Sequence, residues 1–302
     1  MILTYYDTTR NFGDLLNPLI FHHYLPNFFD NDPEIIFLGI GTILGLKKGT
    51  QGTKKIIVFS SGYAAESEEI YGDPPILDDK YEIICVRGPL TAEYFDLNAN
   101  LAVSDGALLL KNMPFPKVKK EYDFAYMPHH VSEGIYHGWR KLIEKENIHY
   151  ISPQDEPLTI IEEIRQSKLL ITEAMHGAIV ADSFRIPWIP VRTSAHINYF
   201  KWQDWASTLN IEVDIHKLPS LFCNRVLKEI IREKYNMGRV SLFNILAREL
   251  YKIFTQKRKT KKFKQEINQL KSKLPLLSKE EILNKRVDEL LKKIEYVKKK
   301  YS

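Results

Sequence analysis

The sequence predicts an α/β protein with two tandem doubly wound domains, because short apolar runs alternate with helical patterns in two successive sets. Such alternation is typical of parallel sheets joined by crossover helices. A stretch rich in proline and lysine at residues 113–120 separates the two sets and predicts a domain boundary. In tandem domains of this type the strand ends face each other across a cleft, where we expect ligands to bind.

The first set predicts an N-terminal Rossmann-like domain over residues 1–115. Apolar runs predict buried strands, and patterns of period 3.6 predict the helices between them. The predicted strands are residues 2–6, 35–38, 55–59 and 83–86, and the predicted helices are residues 15–24 and 89–95.

The second set predicts a C-terminal Rossmann-like domain over residues 121–220. Its predicted strands are residues 122–126, 149–151, 169–172 and 188–191, and its predicted helices are residues 138–145, 158–166 and 178–184. Helical patterns at 222–234 and 241–254 then predict a helical segment over residues 221–255. A basic helical tail, residues 256–302, follows.

Composition excludes several classes of protein. No apolar run approaches the roughly 18 residues of a membrane span, and the chain starts directly with a strand pattern rather than a signal peptide. The two cysteines, Cys85 and Cys223, lie in apolar or helical patterns and support neither a disulfide framework nor a zinc site. We therefore expect a cytoplasmic protein, either free or peripheral on the inner face of the cell membrane.

Charge is distributed unevenly. Residues 252–302 contain 17 Lys and Arg against 6 Asp and Glu, a net charge of +11, which leaves −6 for the rest of a chain whose total is +5. The tail also has an apolar stripe at helical spacing, which consists of Ile282, Val287, Leu290, Leu291 and Ile294. An anionic membrane surface is the partner we favour, and a coiled-coil partner helix is the alternative use of the stripe.

His176 is the first candidate for chemistry. It lies where an apolar run, residues 168–171, gives way to a helical pattern. In an open α/β sheet such a junction lines the ligand crevice, and the helix dipole there favours anions. The alternatives are a helix cap or a buried structural histidine.

Several predicted strand ends carry Gly, Asn or Ser instead of bulky residues. These loops are residues 11–14 (NFGD), 39–42 (GIGT), 60–62 (SSG) and 104–106 (SDG). Small residues let backbone N–H groups approach an anionic ligand, so Asn11, Gly13, Gly41 and Asp105 are candidate substrate-binding residues. None of the loops matches a full dinucleotide or P-loop fingerprint.

Seven motifs in register, from about residue 4 to about residue 205, resemble the polysaccharide pyruvyl transferase family, particularly its exopolysaccharide and succinoglycan branch. They are residues 11–17 (NFGDLLN), 39–44 (GIGTIL), 86–91 (VRGPLT), 104–106 (SDG), 127–130 (MPHH), 173–178 (EAMHGA) and 201–205 (KWQDW). The resemblance implies a GT-B-like fold. It also implies transfer of pyruvate from phosphoenolpyruvate to two hydroxyls of a sugar, which forms a cyclic ketal.

One position departs from the pattern. Many family members carry an arginine two residues before the histidine, and this chain has Ala174 there. Other cations must then hold the carboxylate and phosphate of phosphoenolpyruvate. Arg87, at a predicted strand end, is the first candidate because a guanidinium binds such groups in a bidentate manner. Lys201 matches a family position, and Arg192 follows from its place just beyond a predicted strand.

The roles of the remaining site residues follow from the implied reaction. We expect His176 to be the acid/base and Asp14 to activate or orient an acceptor hydroxyl, with helix capping as the alternative role for Asp14. Candidate substrate-binding residues at other strand ends are His129, His130 and Glu173. The spacing of the acidic residues fits no compact metal site, so we expect neither a metal nor a cofactor besides phosphoenolpyruvate as the donor substrate.

Two other functions are consistent with parts of the sequence. A GT-B-type glycosyltransferase in polysaccharide biosynthesis would bind the diphosphate of a nucleotide sugar with the glycine loops and Arg87. A nucleic-acid-binding protein would use the basic tail, but the acidic body and the absence of a recognised binding motif disfavour it. The favoured partners are thus phosphoenolpyruvate, a free or lipid-linked saccharide acceptor and an anionic membrane, with no nucleic acid.

Overall fold

The computed structural model describes residues 1–7, 10–45, 52–64, 74–194, 197–221 and 242–301, with side chains from residue 256 onward in the last segment. The strands are β1 (Ile2–Thr4), β2 (Ile35–Leu38), β3 (Lys55–Ser61), β4 (Tyr81–Val86), β5 (Ala125–Met127), β6 (His149–Tyr150), β7 (Leu170–Thr172), β8 (Trp188–Arg192) and β9 (His216–Lys217). The helices are α1 (Phe12–Tyr24), α2 (Pro89–Tyr94), α3 (His130–Ile135), α4 (Trp139–Glu144), α5 (Pro157–Gln166), α6 (Met175–Ser183), α7 (Tyr199–Thr208), α8 (Leu242–Leu270) and α9 (Glu280–Tyr301).

Two parallel sheets form the α/β fold that the sequence predicts. The first has the strand order β1-β2-β3-β4, and the second has the order β6-β5-β7-β8-β9. The strands are apolar and largely buried, as parallel strands covered by helices must be. Each strand that the sequence predicts is present, with ends that differ by at most three residues.

The second sheet has the doubly wound order. Its order reverses beside β5, which places a topological switch point between β5 and β7. In the first sheet the described strands lie side by side in chain order. The doubly wound character of the first sheet stays a prediction, because alternation of strands and helices does not determine on which side a new strand is added.

Helix α7 and a 3₁₀ segment were not predicted from the sequence. The 3₁₀ helix Gly106–Asn112 begins at Asp105, whose Oδ1 accepts a hydrogen bond from the Ala107 N–H (2.9 Å). Helix α7 buries the polar Asp204 between Trp202 and Trp205. Both elements contact residues of the candidate site. The predicted helix at residues 222–234 lies outside the described residues.

The two sheets share packed side chains. One continuous apolar cluster contains Phe12 and Leu16 from α1, Leu108 from the 3₁₀ helix, and Ala178 and Trp188 from the second half of the chain. Helix α6 packs directly on the 3₁₀ helix. The elements of the two sheets are thereby fixed relative to each other, while the predicted domain boundaries stay predictions.

Polar contacts cross between the halves as well. The Arg87 Nε, at the end of β4, donates to Asp204 Oδ2 on α7 at 3.0 Å, and both side chains are fully buried. The hydroxyls of Ser104 and Thr208 are 2.8 Å apart. A side chain at Gly88 would overlap the backbone of Asp204, so glycine is required for this approach.

The C-terminal helices pack on the body of the protein. On α9 the buried side chains are Leu283, Val287, Leu290, Ile294 and Val297, which join the cluster that contains α6. On α8 the side chains of Phe263 and Ile267 pack with Trp139. The chain itself therefore covers the apolar stripe, so the expectation that the stripe contacts a membrane or a partner helix is corrected. Membrane binding by the basic residues of the tail stays a prediction.

Hydrogen bonds to Glu82 hold the end of α9 against β4. Glu82 on β4 accepts hydrogen bonds from Lys300 Nζ and Tyr301 Oη, each at 2.6 Å, and its carboxylate also lies 2.7 Å from Lys55 Nζ. These contacts lower the pKa of Glu82 to about 2 although burial opposes the shift. No helix in the described part of the chain is long and apolar enough to cross a membrane.

Replacing Leu290 with alanine tests whether α9 is part of the folded body. Leu290 is 0% exposed, and we expect Leu290→Ala to lower the free energy of unfolding by about 2–5 kcal/mol because it leaves a cavity. The control is Leu274→Ala, since Leu274 is 94% exposed and its loss changes the free energy by at most about 0.5 kcal/mol. Urea unfolding measures both, and equal small effects would contradict the docking of α9.

Candidate functional site

A pocket of about 260 Å³ lies at the switch point of the second sheet, where the loops after β5 and β7 diverge. Nine of the twelve predicted site residues line it, namely Asn11, Gly13, Asp14, Gly41, His129, His130, Glu173, His176 and Lys201. They come from loops and helix starts of both sheets. The structure thus brings together residues up to 190 positions apart in the sequence, while their roles stay predictions.

The longer helices α1, α6 and α7 each begin at this pocket. The residues at the N-caps of α1 and α6, Asn11 and Ala174, supply no capping side-chain hydrogen bond. The first turn of a helix presents N–H groups and the positive end of the dipole. The electrostatics of the pocket therefore favour an anion.

His176 occupies the first turn of α6. Its Nε2 lies 3.6 Å from Oδ2 of Asp105, with the histidine side chain 13% exposed and the aspartate fully buried. The other side of the ring rests on Gly13 at the start of α1, where a Cβ would come within 2.0 Å of Nδ1. Glycine at position 13 is thus required by the imidazole of His176.

Asp14 lies in the first turn of α1 and is nearly buried. Burial raises the pKa of its carboxyl, which a hydrogen bond from Asn11 and the charges of His176 and Lys201 partly offset. The Asn11 Nδ2 donates to Asp14 Oδ2 at 2.7 Å. Gly41 has a φ of +124°, which favours glycine, and a Cβ at this position would lie only 3.3 Å from Oδ1 of Asp14.

Lys201 approaches the pocket from α7. Burial and, to a smaller extent, the charge of Arg87 lower the pKa of its ammonium group to about 7, although the charge of Asp14 acts in the opposite direction. The amine is therefore poised between its charged and neutral forms near neutral pH. Asn198 caps the helix by accepting a hydrogen bond from the Lys201 N–H at 3.2 Å.

Glu173 holds the pocket loops together. Its Oε2 accepts a hydrogen bond from the His129 N–H (3.2 Å), and its Oε1 accepts one from the Thr193 N–H after β8. The side chain is fully buried, which raises the pKa of its carboxyl, while the hydrogen bonds oppose that rise. The Glu173 carboxyl thus connects the loops that follow β5, β7 and β8.

The histidine pair after β5 lines the same wall. His129 Nδ1 accepts a hydrogen bond from the Val131 N–H at 3.3 Å and so caps α3. The rings of His129 and His130 are 4.4 Å apart between centroids. His129 thus caps a helix and also lines the pocket.

Three predicted site residues lie outside the pocket lining. Arg87 is fully buried, and its guanidinium donates to Asp204, to the hydroxyl of Thr42 (3.1 Å) and to the Tyr63 carbonyl (2.7 Å). Asp105 lies behind His176. Arg192 ends β8 and is exposed. In this structure Arg87 therefore supports Thr42, which does line the pocket, from behind.

Sequence reasoning missed other residues that line or support the pocket. Tyr6, Thr42, Asn198 and Trp202 line it. Asn17 is buried and pairs with the backbone of Ile40 through Oδ1 (2.8 Å) and Nδ2 (3.0 Å). The lining residues Thr42 and Trp202 and the supporting Asn17 and Asp204 all stand within the motifs that carry the family resemblance, so the motifs themselves were the available signal.

Among the described residues, no three His, Cys, Asp or Glu side chains converge as metal ligands. The expectation that no metal is required stays a prediction.

The fold and the pocket define an α/β protein with a histidine, a lysine and a carboxylate at an anion-attracting switch point. Residues 7–194 match the polysaccharide pyruvyl transferase family, and the chain belongs to that family. The succinoglycan biosynthesis protein ExoV of Rhizobium meliloti (strain 1021) is 37% identical to it over 212 residues. That match covers 69% of this chain and 65% of the relative, slightly less than two thirds of its length.

A solved structure is also similar to this chain. It is that of KP1_0663, a functionally uncharacterized protein from Klebsiella pneumoniae subsp. pneumoniae NTUH-K2044. The similarity has a TM-score of 0.44 at 15% identity and covers 70% of this chain and 91% of that one.

Replacing Lys201 with methionine tests the electrostatics of the pocket. The folded pKa, about 7, is below the ordinary value of 10.5, so between these values the unfolded state binds more protons and stability rises with pH. We expect Lys201→Met to be more stable than the native chain at pH 6. The difference in the free energy of unfolding between the two chains should shrink by at most about 1.4 kcal/mol per pH unit above pH 7. Urea unfolding from pH 6 to 10 measures it, and a pH-independent difference contradicts the lowered pKa.

Proposed function

We propose that this chain is an enzyme that transfers the pyruvyl group of phosphoenolpyruvate to two hydroxyls of a sugar in an exopolysaccharide precursor. The product is a cyclic ketal, and phosphate leaves. The observation that carries the proposal is the pocket that joins His176 and Lys201 to the starts of α1, α6 and α7. Family membership and the name of the Rhizobium relative agree with this reaction class.

The donor is a small anion with a carboxylate and a phosphate, and such a ligand needs cations and oriented N–H donors. The helix starts supply the N–H groups. Lys201 supplies a cation, because an anion bound beside it raises the pKa of its amine and favours the charged form. Lys201 would thus supply the positive charge that an arginine at position 174 supplies in many relatives, where this chain has Ala174.

The chemistry requires a proton at the methylene carbon of phosphoenolpyruvate. His176 donates it as general acid, and an oxocarbenium-like centre develops at the adjacent carbon. One sugar hydroxyl attacks that carbon and gives up its proton. Phosphate then leaves with its electron pair, the second hydroxyl closes the ring, and the released phosphate takes up the proton of that hydroxyl. The imidazole of His176 can take up the proton that a hydroxyl releases, which restores the acid.

Asp14 is proposed to act on the acceptor. Its carboxyl lines the pocket beside His176 and Lys201, and burial raises its pKa towards the range where a carboxylate accepts a proton effectively. The hydrogen bond from Asn11 fixes its orientation. Tyr6, which is 40% exposed, offers aromatic surface to a sugar ring at the same pocket.

A GT-B-like arrangement is part of the proposal. Residues of both sheets line one pocket, as expected where donor and acceptor meet between two Rossmann-like units. The family resemblance gives the same expectation.

Incubation with phosphoenolpyruvate and a panel of synthetic and lipid-linked glycosides tests the function. We expect acceptor-dependent phosphate release and a product whose mass increases by one pyruvate ketal. His176→Gln should slow both by roughly 10²–10⁴-fold, the usual contribution of a general acid/base. The control is His149→Gln, since His149 stacks on Tyr122 away from the pocket. Undiminished transfer in His176→Gln contradicts the assignment, and turnover of a nucleotide sugar alone indicates a glycosyltransferase.

The exposed basic face of α8 is proposed to bind an anionic membrane on its cytoplasmic side, where lipid-linked saccharides are assembled. Lys257, Arg258, Lys261 and Lys262 are exposed and lie on one face, opposite the buried Phe263. Each basic residue near an anionic surface contributes roughly 1 kcal/mol. Since the apolar stripe of α9 is buried, this binding is electrostatic.

Sedimentation with vesicles that contain anionic lipid tests the membrane proposal. Replacing the four basic residues of this face with glutamate should abolish cosedimentation at low salt, because attraction becomes repulsion. The control makes the same charge change at Lys117, Lys119, Lys141 and Lys145, which are exposed elsewhere. Equal loss in both sets, or no loss in either, contradicts a specific role for α8.

A further inference from the structure

Asp105 was expected to bind substrate, but the structure places it behind His176 rather than in the pocket lining. Its carboxylate is fully buried. Oδ1 accepts the Ala107 N–H and thereby caps the 3₁₀ helix, which leaves Oδ2 directed at the histidine. The residue therefore has one structural contact and one contact with the proposed acid/base.

Oδ2 of Asp105 and Nε2 of His176 are both buried, and neither has a hydrogen-bond partner among the described residues. They are 3.6 Å apart, slightly beyond the usual limit of about 3.2 Å for a hydrogen bond. Buried polar atoms pair with a partner, and these two are each other's neighbour. Catalytic hydrogen bonds are often long in the free enzyme and tighten when substrate binds, so a separation of 3.6 Å is compatible with a pair.

The elements that carry the two residues pack against each other. The Gly106–Asn112 helix that starts at Asp105 packs on α6, which carries His176. Gly13 fixes the opposite edge of the ring, since a Cβ there would overlap Nδ1. The imidazole is thus held between Asp105 at Nε2 and the start of α1 at Nδ1.

We propose that Asp105 is a positioning residue that keeps the proton of His176 on Nε2 and presents Nδ1 to the reacting atoms. The inference rests on the proposed function only for the role of Nδ1. In the neutral ring Nε2–H donates to the Asp105 carboxylate, and Nδ1 accepts a proton from a sugar hydroxyl. In the charged ring Nδ1–H gives its proton to the methylene carbon, while the carboxylate stabilises the imidazolium.

Nitrogen NMR of the histidine side chains in the full chain tests the tautomer without any substrate. We expect the native chain to carry the proton of His176 on Nε2. In Asp105→Asn the new amide N–H donates to Nε2, so the proton moves to Nδ1. Asn still offers an oxygen that can cap the helix. A native Nδ1–H tautomer, or no change in the variant, overturns the proposal.

Kinetics test the consequence for the reaction. We expect Asp105→Asn to reduce kcat by roughly 10²-fold, within the range of proton-transfer catalysis, with KM for phosphoenolpyruvate nearly unchanged. In a His176→Gln background the same substitution should have no further effect, because the two residues act as a unit. Additive losses, or a rise in KM alone, would mean that Asp105 binds substrate or acts elsewhere.

Two further variants separate positioning from folding. Asp105→Ser keeps a capping oxygen but lacks the second carboxylate oxygen, so it should lose as much kcat as Asp105→Asn. Asn98→Ala removes a comparable cap from the other 3₁₀ helix, Ala99–Leu101, and should leave kcat unchanged. If the native chain transfers no pyruvate, the proposed function fails, while the NMR experiment still decides the position of the proton.

Discussion

The ion pair between Arg87 and Asp204 joins the last strand of the first sheet to helix α7 and lies completely out of water. A buried pair of this kind adds little net stability, but leaving one partner alone costs about 3–5 kcal/mol. Here both partners make further hydrogen bonds. Asp204 also accepts the N–H (2.9 Å) and hydroxyl (2.6 Å) of Thr91, and the two Nη atoms of Arg87 donate to Thr42 and Tyr63. The geometry of the pair therefore specifies how α7 sits against the first sheet. Lys201, three residues earlier on α7, is placed by the same contact.

Arg87 also affects the charge of the pocket. Burial is the main cause that lowers the pKa of Lys201, and the Arg87 guanidinium, although outside the lining, adds to this effect while Asp14 opposes it. Burial raises the pKa of Asp14 in turn. The pocket thus contains an amine whose pKa is lowered to about 7 and a carboxyl whose pKa is raised, together with helix starts that favour negative charge. An anion that binds beside Lys201 raises the pKa of its amine again and favours the charged form.

Periodicity in the sequence was sufficient for most of the fold. Apolar runs identified eight of the nine described strands to within three residues, because buried parallel strands have nearly continuous apolar sequences. Helix α7 was missed because its buried face mixes Asp204 with tryptophans, which hides the amphipathic period. The stripe on α9 was visible, but nothing local reveals that its partner is the body of the same chain. Pattern alone also could not give the strand order of the first sheet.

For the candidate site, position along the chain was informative where a strand end meets a helix start, as at Asp14 and His176. It failed where a distant residue decides the environment. In the sequence, Arg87 has the position of an exposed cation at a strand end. In the structure it is buried in an ion pair with Asp204, which lies 117 positions later. Asp105 likewise has the sequence position of a loop residue that binds a ligand. Its carboxylate faces His176 only because α6 packs beside it. Long-range contacts of this kind are set by tertiary structure and leave no short-range signal.

A crystal structure with phosphoenolpyruvate bound would test the account most directly. The account predicts phosphate and carboxylate at the starts of α1 and α6 and at Lys201, with the methylene carbon facing the imidazole of His176. Donor density at Arg192, or a displaced Arg87 that has left Asp204 to bind the phosphate, would contradict it.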